Sequence, residues 1–175
     1  MKRILILLTV TVFTGMSVFA GNPDRRGEAG AYELNMNGWG VSSGFWGMNS
    51  ANIKGIESER VNPAGIAFTN KTEIAAAYTL WLQGSGVGVA HVGISQKFKE
   101  TNAVALSIQA LNLGSVERTT TQNPEGGIGT YKPTFINIGV SYSKLFSNSI
   151  SGGITIRLID ENLGNLNAFG FGIDA

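Results

Sequence analysis

The residues that could do chemistry are few and badly placed for it. His91 is the one histidine, and there is no cysteine. A zinc centre draws three or four ligands from His, Cys and carboxylates, so a lone His between Val89 and Gly93 reads as a packed residue or one facing a lumen. Asp160 and Glu161 are adjacent carboxylates. Neighbours on a strand point to opposite sides, so the two cannot converge as an acid–base pair and read as a solvated loop edge. Gly84-Ser85-Gly86-Val87-Gly88 and Gly126-Gly127-Ile128-Gly129 have the glycine density of phosphate loops. Neither opens a helix and the phosphate-binding Lys is missing, so both read as turns. Gly84-Ser85-Gly86 lacks the nucleophile-elbow spacing, and no histidine is expected to pair with Ser85; Thr119 to Thr121 reads as an exposed loop. No catalytic residue, no metal ligands and no cofactor are expected.

Composition narrows the class. The chain has 175 residues, 24 of them Gly, 14% charged residues and a formal net charge of +1. One ordinary domain fits that length, and the charge balance makes no case for nucleic acid. The N-terminus is more specific. Lys2 and Arg3 precede an uncharged apolar run, Ile4 to Phe19, and Val18-Phe19-Ala20 has the small-residue form of a cleavage site. The pattern is that of an export signal over residues 1–20, with the mature chain starting at Gly21.

The elements that would position any site come in two parts. Residues 21–70 are rich in Gly and Asn and hold no sustained period, apart from a helical turn expected near Ile53 to Ile56. The aromatic–glycine patch around Trp39, Phe45 and Trp46 is expected to fill the mouth of whatever encloses it. About 50 residues without regular structure are unusual in a compact soluble domain, but reasonable for a segment packed inside something else.

From Thr72 the chain alternates with the two-residue period of strands. Strands are expected over Glu73 to Leu82, Val87 to Lys97, Asn102 to Leu113, from Phe135 up to the turn at Phe146, from the end of that turn to Asp160, and around Phe169 to Asp174. Ile136, Ile138, Val140 and Tyr142 share one face, with Asn137, Gly139, Ser141 and Ser143 on the other; Ile154, Ile156 and Leu158 oppose Thr155 and Arg157. The turns Phe98–Thr101 and Phe146–Ser149 are short, whereas Gly114 to Lys132 forms a long polar loop. Strands of about ten residues with loops that alternate between tight and long are the pattern of outer-membrane barrels. In lipid the apolar face points outward; in a soluble sandwich it would point inward, and alternation by itself allows both.

Several stretches resemble the PorV/PorQ family of outer-membrane proteins, which is related to FadL-like barrels. They are Glu28-Ala29-Gly30-Ala31, Val61-Asn62-Pro63-Ala64-Gly65-Ile66-Ala67-Phe68, Asn123-Pro124-Glu125-Gly126-Gly127-Ile128-Gly129, Ile138 to Lys144 and Phe169 to Ala175. The resemblance implies an all-β antiparallel transmembrane β-barrel, FadL-like, present as an incomplete N-terminal portion. That portion would comprise a hatch at 21–70 and about six barrel strands at 71–175, of about 14 in the family. It implies outer-membrane lipid as surroundings, and a role in type IX secretion or gliding motility with secretion components and cargo C-terminal signal domains as partners. Asn62, Pro63, Ala64 and Gly65 match the hatch motif. Pro63 fixes φ, Asn62 can close an Asx-turn, and the small residues allow close approach to a wall. Asn123, Pro124, Glu125 and Gly126 fall in the loop expected to meet partners. A FadL-like transporter of hydrophobic small molecules and a soluble exported β-sandwich are the rival readings.

Overall fold

The computed structural model describes residues 30–81 and 83–175. The chain divides into two compact units, Met1–Gly30 and Ala31–Ala175, and every element named below belongs to the second. The expected export signal and the first residues of the hatch lie outside the described residues.

Six strands form one antiparallel sheet: β1 (Thr72–Leu80), β2 (Val87–Lys99), β3 (Asn102–Leu113), β6 (Thr134–Ser147), β7 (Ile150–Asn162) and β8 (Asn167–Asp174), in that spatial order. Each long strand pairs with the next in sequence, as expected when two-residue turns join amphipathic strands. The sheet is open at β1 and β8, and no closed barrel is formed among the described residues. Two turns are tighter than the sequence suggested. β2 and β3 are separated by Glu100–Thr101, and β6 and β7 by Asn148–Ser149, with a register irregularity beside each turn. The loop after β3 is not structureless: β4 (Val116–Glu117) pairs with β5 (Thr130–Tyr131). Asp160 and Glu161 lie within β7 rather than on a loop edge, since their backbones pair with Ile136 and Phe135. No helix is long and apolar enough to cross a membrane among the described residues.

The segment before β1 has short pieces of structure: a 3-10 turn at Tyr32–Asn35, helix α1 (Gly40–Gly44), helix α2 (Ser58–Val61) and a 3-10 helix at Pro63–Phe68. The helical turn expected at Ile53 to Ile56 starts later, at Ser58. Gly55 takes a positive φ of 74° and its carbonyl accepts the Ser58 hydroxyl at 2.6 Å, so the chain reverses before it can coil.

Register places the side chains in rows across the sheet. On one face Ile74, Ile94, Leu106, Val140, Ile156 and Ile173 form one row; Ala76, Val92, Ile108, Ile138, Leu158 and Phe171 form the next. Nothing in the described chain covers these rows: Ile74 is 74% exposed and Phe171 75%. A polar row, Asn112, Thr134, Asn162 and Asn167, borders them at one end, and Asn102 and Lys144 border them at the other. On β6 the apolar stretch from Ile136 to Tyr142 is about 20 Å long at ~3.4 Å per residue. The opposite face holds Ser95, Ser107, Gln109, Asn137, Ser141, Ser143, Thr155 and Arg157, all buried. What buries them is the segment 31–70. Its own apolar side chains Trp39, Ile56 and Ile66 join Ala103 and Ala105 of β3 in a small core, with Ala75 and Ala77 of β1 packed against it.

Candidate functional site

The small polar face of the sheet is the seat of the N-terminal segment, and glycines decide where the two touch. A side chain carried by Gly93, Gly139 or Gly153 would collide with Ile56, the Glu59 carboxylate or the backbone of Pro63 respectively; for Gly153 the separation would be 2.5 Å. Glycine there lets another backbone approach closely. Three strands thus carry notches on one face, each filled by a different part of the segment.

The central notch holds an ion pair. Ser107, Gly139 and Arg157 are register neighbours on β3, β6 and β7. Glu59, in α2, is fully buried and lies over Gly139. Its Oε2 accepts the Ser107 hydroxyl at 2.8 Å, and its Oε1 lies 3.1 Å from Arg157 Nη1. Arg157 Nη2 also donates to the Glu59 carbonyl at 3.0 Å, and its Nε pairs with Asp174 of β8. One arginine therefore ties the segment to the wall and β7 to β8. Removing one member of such a buried pair leaves a charge in a site that cannot solvate it, which costs about 3–5 kcal/mol.

The sequence motif Asn62-Pro63-Ala64-Gly65 fills the next notch. Asn62 Oδ1 accepts from the Ala64 N–H at 3.2 Å, closing the Asx-turn that its residue type suggested. Pro63 then starts the 3-10 helix, where its missing N–H is not needed. The Pro63 backbone lies on Gly153, the Ser143 hydroxyl donates to the Ala64 carbonyl at 3.1 Å, and Ala67 N–H donates to Ser143 at 3.2 Å. Gly65 is closed in by the Ile53 carbonyl, which accounts for the second small residue. Further on, Thr69 donates to Ser95 at 2.9 Å. Glu73 of β1 accepts from Ile56 N–H at 3.2 Å and from Asn70 N–H at 3.3 Å.

Charged groups also hold the start of the segment. Arg60 donates to the Leu34 and Met36 carbonyls. Burial, reinforced by Arg157, lowers its pKa to about 10. Burial raises the Glu33 carboxyl above the ordinary value, and nearby Glu161 adds to this. Glu161 accepts from Ala31 N–H at 2.7 Å.

Of the residues singled out in sequence, His91 is packed: it is buried and stacks on Trp39 with ring centroids 4.1 Å apart. The aromatic patch does not act as one unit. Trp39 is buried, but Phe45 is 55% and Trp46 89% exposed, with Trp46 at a positive φ of 52°. The chain turns sharply after α1 and carries these two rings away from the core. Asn123, Pro124 and Glu125 are exposed, and Gly126 turns back with its N–H on the Asn123 carbonyl. This loop is remote from the hatch motif, so the two sets of candidate residues do not form one site. Glu59 and Arg157 escaped sequence reasoning. Arg157 on an otherwise small, polar strand face was the available signal, since a lone cation among Ser, Gly and Thr requires a carboxylate. Among the described residues no cluster of three or more His, Cys, Asp or Glu could hold a metal ion. No family model matches the chain, and no curated protein matches it.

Proposed function

We propose that this chain forms part of an outer-membrane β-barrel whose N-terminal segment plugs the lumen, and that the barrel serves type IX secretion as a carrier or accessory binding exported proteins. The observation that carries the membrane reading is the direction of the sheet's amphipathicity. Ile, Val, Leu and Phe face away from the layer that packs on the sheet among the described residues, while Ser, Asn, Thr and Arg face that layer. The apolar stretch, about 20 Å along the strands and about 24 Å across six of them at ~4.8 Å per strand, is an uncovered patch of about 480 Å² in plane, in the size range that marks an interaction surface. Lipid contact resolves this, as it does for barrels with an apolar outer band and a polar interior. In lipid the unpaired edges of β1 and β8 require further strands, because hydrocarbon offers no hydrogen bonds. The secretion role rests on the sequence resemblance to the PorV/PorQ family, and is supported by the packing of the Asn62-Pro63-Ala64 turn against the small polar face at Gly153 and Ser143.

A transporter of hydrophobic molecules would want a greasy path past the plug. The hollow beside Trp46 is lined by Leu34, Val61 and Trp81 as well as Asn35, Asn37, Ser43 and Arg60, and Ile66 is not part of it; no single greasy pocket joins Trp46 to Ile66 among the described residues.

Two measurements test the proposal. Membrane fractionation with heat-dependent migration in detergent gels should place the full-length protein in the outer membrane as a barrel; recovery in the soluble exported fraction defeats the membrane reading. Affinity purification from the native host should recover secretion components and cargo signal domains; recovery of neither defeats the secretion role alone.

A further inference from the structure

Four buried polar atoms without a hydrogen-bond partner among the described residues gather at one level of the seam between segment and sheet. They are His91 Nδ1, Gln109 Oε1, Asn137 Nδ2 and Trp39 Nε1. His91, Gln109 and Asn137 are register neighbours on β2, β3 and β6 and face the same side. Trp39 lies against the same row through its stack on His91. Gln109 Nε2 donates to the Met36 carbonyl at 3.0 Å, which fixes its amide so that Oε1 is the free acceptor. All four side chains are at least nine-tenths buried, between 1% and 4% exposed.

Leaving each of four such atoms unpaired would cost about 1–3 kcal/mol, so something small pairs with them. The set is neutral and mixed: Trp39 and Asn137 donate, Gln109 accepts, and a neutral imidazole nitrogen does one or the other. A cation would need several acceptors and an anion several donors. The full charge beside the row, Arg60, is taken up by the Leu34 and Met36 carbonyls, and Glu59 and Arg157 in the adjacent row pair with each other. Water both donates and accepts, and a buried molecule makes about three hydrogen bonds.

We propose that one or two internal water molecules are built into the seam, bridging the row His91–Gln109–Asn137 to the stretch Met36–Trp39. The seam then differs along its length. Around Ile56 and Ile66 the contact is apolar, and Glu59 and Arg157 meet directly at 3.1 Å. Under Met36–Trp39 it is wet, and its hydrogen bonds can be exchanged without leaving a buried group unpaired. The inference does not depend on lipid on the outer face or on any role in secretion.

Radiolytic hydroxyl labelling of the folded full chain tests it, because buried side chains touching bound water are modified while equally buried dry ones are not. Corrected for intrinsic reactivity, Trp39 and His91 should label at least about fivefold faster than Ile66 and Val89, which have no bridging water. Protection of Trp39 and His91 equal to that of Ile66 would overturn the proposal. A crystal structure at high resolution gives a second readout. Water density within hydrogen-bond distance of at least three of the four atoms supports the proposal; direct side-chain pairing, or an ion in that place, refutes it.

Discussion

On the outer face of the sheet, Val140 and Ile156 stand side by side with nothing of the described chain over them. One residue along each strand, Ser141 and Thr155 are buried and share a hydrogen bond of 2.7 Å. Water sorts the side chains of a soluble sheet the other way, burying the branched apolar residues and wetting the hydroxyls. Here the hydroxyls are the covered set. The inner face gains from small side chains, directional bonds and glycine notches that fix one placement of the segment. The other face has few of these and presents a mainly apolar surface that nothing in the described chain covers. One face is fitted to a specific neighbour; the other has none among the described residues.

Four substitutions or conditions would break or sharpen that contrast. The largest effect is expected at the inner face: Arg157→Leu strands Glu59 in a buried site and should lower unfolding stability in detergent by about 3–5 kcal/mol. Adding Glu59→Leu should restore most of the loss, because a neutral pair has no charge to solvate; failure to recover would mean that the pair does not act as a unit. Next comes the outer face. Ile156→Arg lies in the middle of an apolar row, and on lipid it should cost about 2–4 kcal/mol. In water the same change at a residue 53% exposed should be nearly neutral, so refolding into vesicles compared with aqueous stability decides between the two solvents. Third, Gly153→Val drives a side chain into the Pro63 backbone and should cost about 1–3 kcal/mol, with faster proteolysis between residues 50 and 70 as the specific sign that the segment has lifted. The smallest effect is expected from pH. Burial raises the Glu33 carboxyl, so the folded state holds that proton more tightly than the unfolded chain. Its contribution is complete below the ordinary carboxyl range and fades as pH rises through the raised value. Glu33→Gln should flatten stability across that window; an unchanged slope would place the proton elsewhere.

Much of the sheet was legible because a strand's period is two and each long strand keeps it. Ile136 to Tyr142 and Ile154 to Leu158 lie on the face that alternation assigned them, and the hairpins fall between neighbours in sequence. The Asx-turn at Asn62 was legible too, because it depends on three consecutive residues. Less could be read in residues 31–70, whose short helices follow no period and are held by contacts with residues far along the chain. The separation of Trp39 from Trp46 turns on one sharp bend after α1, which the aromatic–glycine composition does not encode. The ion pair joins Glu59 to a strand 98 residues later; the cation on a small, polar strand face was visible locally, but its partner was not.

The sequence by itself determined that these strands have one apolar and one polar face, because successive side chains on an extended backbone must part. It also determined that the segment before them has too little pattern to stand alone. Only the tertiary structure decided which face would be covered. That outcome depends on whether residues 31–70 find better partners in serines, glycines and one arginine than in isoleucines. The notches at Gly93, Gly139 and Gly153 share one face only once register has brought β2, β3, β6 and β7 side by side.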